Sequence, residues 1–234
     1  MNIVVIDTAT EACSVAVQYQ DKVIGQFSVC PQQQSVTILP MLAQVLDDAG
    51  LAKQDIQGIG FGHGPGSFTG VRIALGMTQG LALGLNVPVV GMSTLATLAQ
   101  EAFTSQPTLT DVYAAIDARM NEVYFAHYQV QQGMAVLVGK ECVISPTEAF
   151  SKLPENIHSQ IFDSHSALVG TGWEAYPELS QLVSSPINIT LPNALYMLPL
   201  VAQQFMLGNG QAIEEVEPVY LRDTVTWKKL PGKE

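Results

Sequence analysis

Residues 58–76, GIGFGHGPGSFTGVRIALG, put a histidine (His63) and a serine (Ser67) into a glycine-rich stretch directly ahead of an apolar helical pattern. Loops of this composition cradle phosphate with backbone N–H groups at a helix N-terminus, or lift a nucleophilic serine onto a sharp turn. The spacing fails each template at a definite residue. A Walker A loop needs Lys and then Ser or Thr after its last glycine, and Gly70 is followed by Val71 and Arg72. A dinucleotide fingerprint needs glycine where Thr69 stands, and GxSxG needs a residue between Gly66 and Ser67. No acid partner can be named for a His63–Ser67 pair. The stretch therefore reads as a strand-to-helix turn, with Ser67 or Thr69 as the cap of a helix from about Val71 to Leu85.

The other carboxylate candidates are Asp7 and Asp117. Asp7 ends the β-branched run NIVVID and Asp117 ends the strand pattern DVYAAID, and VIDTATEACSVAV in the first half lines up with AIDARMNEVYFAH in the second. Around both, the order strand, Asp, turn, strand, strand, helix repeats, so the chain reads as a duplicated βββαβα unit. Two such lobes enclose a cleft with an Asp from each strand end facing across it. This α/β arrangement resembles the two-lobed actin/Hsp70/sugar-kinase (ASKHA) fold, with lobes at 1–105 and 106–234 and the last helix or tail packing back on the first lobe. In that fold the turn after the first Asp carries glycine for phosphate. Here the turns are Asp7-Thr8-Ala9-Thr10 and Asp117-Ala118-Arg119-Met120, where a Cβ obstructs close backbone approach. Asp7, Thr10 and Ser67 remain the candidates for meeting a nucleotide, confined to a site shared with a partner. The histidines form no HxxxH or HExxH pair, and no metal site is expected.

The elements that position these residues are built from a chain of 234 residues with 47% hydrophobic and 13% charged composition, a large core with a thin polar surface. The net charge of −11 excludes strong direct nucleic-acid or membrane-surface binding by this chain alone. Three scattered cysteines without a CxxC pair, and an N-terminus lacking a basic n-region, lead to the expectation of a cytoplasmic protein. No apolar run is long enough to span a bilayer.

Two helices carry a stronger signal. Gly76, Gly80 and Gly84 recur every fourth residue with Arg72 one step ahead, although each glycine is about 1 kcal/mol less favourable than Ala inside a helix. Such a stripe allows another backbone to approach closely, either that of a partner or that of the protein's own sheet. Met77 and Leu83 add apolar surface. On the earlier helix, Ile38, Leu39, Met41, Leu42, Val45 and Leu46 cover more than one sheet-packing stripe. Together these residues form a candidate helical protein–protein interface.

The segments IDTATEACSVA, ILPM, GHGPGSFTGVRI, QGLALG, DARMNEVY and PVYLRDTVTWKKLPGKE, in this order, resemble the TsaB (YeaZ) family across nearly the whole chain. The resemblance implies a non-catalytic subunit of the machinery that makes threonylcarbamoyladenosine next to the tRNA anticodon. It would pair with the catalytic paralogue TsaD through the two first-lobe helices, self-associate through the same surface, and be joined by the ATPase TsaE. It also implies no cofactor held tightly by this chain alone, with ATP or ADP at the partner junction. The paralogue carries HxxxH after a VPLVG strand. The matching positions here are Thr94 and Leu98, which do not suit a metal. Gln34-Ser35-Val36 stands where relatives often carry His-Thr-Gln, a departure at the helix start. The alternative is an enzyme in its own right, a glycoprotease-type peptidase or an ATP phosphotransferase.

Overall fold

The computed structural model describes residues 1–155, 165–180 and 188–222. The irregular stretches 156–164 and 181–187, and the tail beyond Arg222, lie outside them. The first half supplies strands β1 (Ile3–Asp7), β2 (Ala12–Tyr19), β3 (Lys22–Val29), β4 (Gly58–Gly64) and β5 (Val89–Ser93), with helices α1 (Gln34–Ala49), α2 (Phe68–Leu85) and α3 (Thr94–Ser105). The second half supplies β6 (Asp111–Arg119), β7 (Glu122–Gln131), β8 (Met134–Ile144) and β9 (Ser166–Val169), with α4 (Pro146–Ser151), α5 (Gly172–Ala175), α6 (Pro177–Ser180) and α7 (Ala194–Met206).

The sheets run β3-β2-β1-β4-β5 and β8-β7-β6-β9. In both, an antiparallel meander is extended past its first strand by a parallel one, β4 beside β1 and β9 beside β6. The duplication expected around Asp7 and Asp117 is therefore built into the topology, and the fold is the duplicated two-lobed ASKHA type. Period-two alternation sends Val4 and Ile6 toward α1 and α2, and Ile3 and Val5 toward α7. In the second sheet Val112, Ala114 and Ile116 meet α3, while Tyr113 and Ala115 face Trp173 and Leu179. Helix α7 packs on the first sheet and on α3, although it comes from the second half of the chain.

Local signals fix the helix ends. Ser67 caps α2 by accepting from the Gly70 N–H at 3.3 Å, and α2 starts at Phe68, three residues earlier than expected. Ser93 caps α3 through the N–H groups of Leu95 and Ala96. Helix α1 stops at Gly50, left-handed at φ 70°.

Candidate functional site

The glycine stretch packs against the turn that follows Asp7. The Ser67 N–H donates to the Ala9 carbonyl at 2.7 Å, and the Thr8 hydroxyl donates to the Gly70 carbonyl at 2.7 Å. A Cβ on Gly66 would lie 2.2 Å from the Ala9 oxygen, and one on Gly70 would lie 2.1 Å from the Thr8 oxygen. These glycines are required by backbone-to-backbone contact within the protein. The Thr94 hydroxyl donates to the Pro65 carbonyl and ties the start of α3 to the same loop.

Beside the loop lies an inter-lobe cleft of about 1020 Å³, lined in part by Thr10, Glu11, Ser67, Phe68, Asp117 and Arg119. Thr10 and Ser67 are brought to it as expected, but Asp7 is not. The Asp7 side chain is fully buried and lies where a Cβ of Gly62 would stand, with Oδ2 1.8 Å from that position. Its Oδ1 accepts from the Ala9 N–H at 3.2 Å, and Oδ2 has no hydrogen-bond partner. Asp117 does line the cleft, but its carboxylate is occupied. It accepts from the Arg119 N–H, the Arg119 guanidinium and the Tyr176 hydroxyl, at 2.8, 2.8 and 2.7 Å. The two carboxylates therefore do not face each other across the cleft. The cause is that β4 carries glycine at 62, which leaves Asp7 a buried berth inside the first lobe.

Several groups that could meet a phosphate in this cleft are engaged within the chain. The Ser67 N–H is bonded to the adjacent turn, Arg119 is paired with Asp117 and Glu11, and Glu11 and Glu174 add negative charge to the lining. Ser67 Oγ serves as a helix cap and has no hydrogen bond to His63 among the described residues. Burial lowers the His63 imidazole to about 4 and keeps it neutral. No group of three or more His, Cys, Asp or Glu suited to a metal occurs among the described residues.

Burial pushes the Asp7 carboxyl up to about 7, partly offset by its bond from Ala9. Its folded value exceeds its unfolded value, so between about pH 4 and pH 7 the folded chain keeps a proton that the unfolded chain has released. Stability therefore falls as pH rises through that window, by at most about 1.4 kcal/mol per pH unit. Urea unfolding at pH 5 and pH 8 will show a smaller difference for Asp7→Asn than for the wild type, by on the order of 2 kcal/mol. Part of the slope will remain from Glu101, which burial also raises to about 7. An unchanged slope would remove Asp7 as its source.

The two helices differ in what they expose. Ile38, Met41, Leu42, Val45 and Leu46 lie in the protein's own core under β2 and β3 and are unavailable to a partner. This corrects the reading of α1 as apolar beyond its own needs. The helix is wedged between the sheet and α2, and that angle consumes a broad stripe. Leu39, at 54% exposed, is the α1 candidate that stays outside, beside Val36 at 68%. On α2, Arg72, Gly76, Gly80, Leu83 and Gly84 are exposed and Met77 is half-buried. A Cβ on Gly76, Gly80 or Gly84 would meet nothing within 4 Å.

Three residues without an assigned role belong with this face. Phe68 is one turn before Arg72, whose guanidinium carbon lies 3.2 Å from the Phe68 ring centroid and 5.3 Å from that of Tyr220. Arg222 reaches the β6–β7 turn. The i, i+4 step from Arg72 back to Phe68 was available in the sequence. Tyr220 and Arg222 make contacts spanning more than a hundred residues, which no local pattern reports.

The fold and site define a class: a duplicated ASKHA-type protein whose turn after Asp7 carries no glycine and whose first lobe exposes a glycine-striped helix. The profile described as TsaD, tRNA N6-adenosine threonylcarbamoyltransferase, matches residues 28–229. The chain is 47% identical over 239 residues, covering all of both chains, to the tRNA threonylcarbamoyladenosine biosynthesis protein TsaB of Escherichia coli K12. It is 39% identical to the TsaB protein of Haemophilus influenzae, covering all of this chain and 99% of that one. The solved structure of YeaZ from Pseudomonas aeruginosa superposes with a TM-score of 0.80 at 39% identity, covering 94% of this chain and 99% of that one. The chain belongs to the TsaB family.

Proposed function

We propose that this chain is a non-catalytic subunit in the synthesis of threonylcarbamoyladenosine in tRNA, and that it pairs with the catalytic paralogue TsaD through the exposed face of α2. The observation that carries this reading is the contrast between two sets of glycines. Those of the loop are packed against backbone, whereas Gly76, Gly80 and Gly84 stand open on a helix flanked by the exposed Leu83. A helix that forgoes Cβ atoms and leaves the space empty is suited to a second helix at close range. Val36 and Leu39 of α1 extend the apolar area. The chain activates its partner by binding the competent conformation more tightly than the others, which requires no chemistry of its own.

The same face serves self-association when the partner is absent, and TsaE joins the assembly by contacts outside it. Any ATP or ADP sits at the junction with the partner, because the Ser67 N–H and the Arg119 guanidinium of this chain's cleft are already engaged within the chain. The charge of −11 leaves the main tRNA contacts to other subunits, and the complex works in the cytoplasm.

Reconstitution of tRNA modification with TsaD and TsaE, with and without this chain, tests the reading. The expected outcome is strong dependence on the chain, preserved in Ser67→Ala. ATP or peptide turnover by the purified chain alone, lost in Ser67→Ala, would overturn the non-catalytic assignment.

A further inference from the structure

The last described residues run across the mouth of the inter-lobe cleft and are fastened on both sides. On the first-lobe side, the Val219 N–H donates to the His63 carbonyl at 3.1 Å. Tyr220 lies beside Phe68 with ring centroids 6.0 Å apart, and Arg72 is placed over both rings. On the second-lobe side, Arg222 donates to the carbonyls of Ala118 and Arg119 at 3.0 and 3.3 Å and pairs with the Glu122 carboxylate. Its guanidinium also lies 3.6 Å from the Met120 sulfur, and its side chain is only 16% exposed. The turn it clasps is unusual in having Arg119, Met120 and Asn121 all left-handed, at φ 61°, 58° and 60°. A left-handed non-glycine residue is held only by firm surroundings, and Arg222 supplies part of them by satisfying the carbonyls at the turn's entry.

The strap also continues the open face of α2. Phe68, Arg72, Gly76, Gly80 and Gly84 follow one another at steps of four, a single ridge along the helix. Tyr220 adds an aromatic ring at its N-terminal end. Phe68 is 65% exposed and Tyr220 46%. An arginine between two exposed aromatic rings is a composition that concentrates binding energy at interfaces.

We infer that residues 219–222 are a latch that joins the partner-binding ridge to the inter-lobe cleft. Arg222 bolts the strap to the β6–β7 turn, and Tyr220, held by that bolt against Arg72 and Phe68, forms the end of the surface that TsaD meets. Pairing therefore stiffens the cleft mouth, and loosening the bolt weakens pairing. The inference rests on the proposed pairing through α2 and adds to it a positioning residue, Arg222, that lies on the opposite lobe.

The test uses the full chain with TsaD, measuring pairing affinity and backbone hydrogen exchange. Arg222→Ala removes several charge-assisted bonds. It is expected to accelerate exchange at Val219, whose N–H is bonded to the His63 carbonyl, and to weaken pairing about ten-fold, the scale of one such bond. Glu122→Gln keeps the two carbonyl bonds and is expected to fall between wild type and Arg222→Ala in both readouts. It preserves the test where Arg222→Ala lowers the melting temperature. Faster exchange with unchanged pairing overturns the coupling, and unchanged exchange overturns the role of Arg222. Gly80→Arg separates the two readings. If it still pairs, the α2 interface is wrong; if it fails to pair while Arg222→Ala pairs normally, only the latch is wrong.

Discussion

Replacing Gly76, Gly80 and Gly84 with Ala will make the isolated chain more stable and its complex with TsaD weaker. Each position is a helix interior with nothing within 4 Å of an added Cβ, so the methyl meets no obstacle in the free protein. Removing the excess backbone entropy of glycine stabilises a helix by about 0.5–1 kcal/mol per site. Three sites will raise the melting temperature by on the order of 5 °C in a chain of this size. A partner helix lying along the ridge would be displaced by the same methyls. Gly80→Arg, whose side chain cannot be accommodated between two helices at close range, is expected to abolish co-purification with TsaD while leaving the melting temperature within a few degrees of wild type. Higher stability combined with wild-type pairing in both variants would show that the ridge is not the interface. Leu42→Asp is unsuited to this purpose. Leu42 is 3% exposed, and a carboxylate there would unfold the first lobe before pairing could be judged.

The opposite outcome is expected where glycine is packed. Gly70→Ala would bring a Cβ to 2.1 Å from the Thr8 carbonyl oxygen, and Gly66→Ala would bring one to 2.2 Å from that of Ala9. Both obstacles are backbone atoms of a turn that itself accepts from Ser67 and donates to the Gly70 carbonyl, so neither side can yield alone. A loss of about 4 kcal/mol or more is expected for each, at the upper end for point substitutions. It will appear as a melting temperature lower by on the order of 10 °C, or as insoluble protein. A purely ligand-binding loop would behave differently: its alanine variants would melt like wild type and lose only the ligand. Thermal unfolding of the two variants distinguishes these outcomes directly.

Much of the fold was legible in the residues. Apolar strand patterns reaching Asp7 and Asp117 mark equivalent strands of a duplicated unit, although β6 continues past Asp117 to Arg119, and the sheets carry the duplication as β3-β2-β1-β4 and β8-β7-β6-β9. Ser67, Ser93 and Gly50 announce helix ends because capping depends on one side chain or one left-handed residue and its immediate neighbours. The failure of every phosphate and nucleophile template around Ser67 is also local, since each template is a spacing.

What lay beyond the sequence is what depends on where distant segments meet. The apolar breadth of α1 is visible in the residues, but whether it faces a partner or the protein's own sheet is decided by how α1 and α2 share the space above β2 and β3. That leaves Leu39 outside and Leu42 within. Asp7 carries the same strand-end signature as Asp117. Only the absence of a side chain at Gly62, on a neighbouring strand, lets it turn inward and away from the cleft. Tyr220 and Arg222 join the ridge and the opposite lobe through contacts across more than a hundred residues. Periodicity and capping act over a few positions and are therefore written into the sequence; burial, pairing and the meeting of lobes arise from the path of the whole chain, and only the tertiary structure decides them.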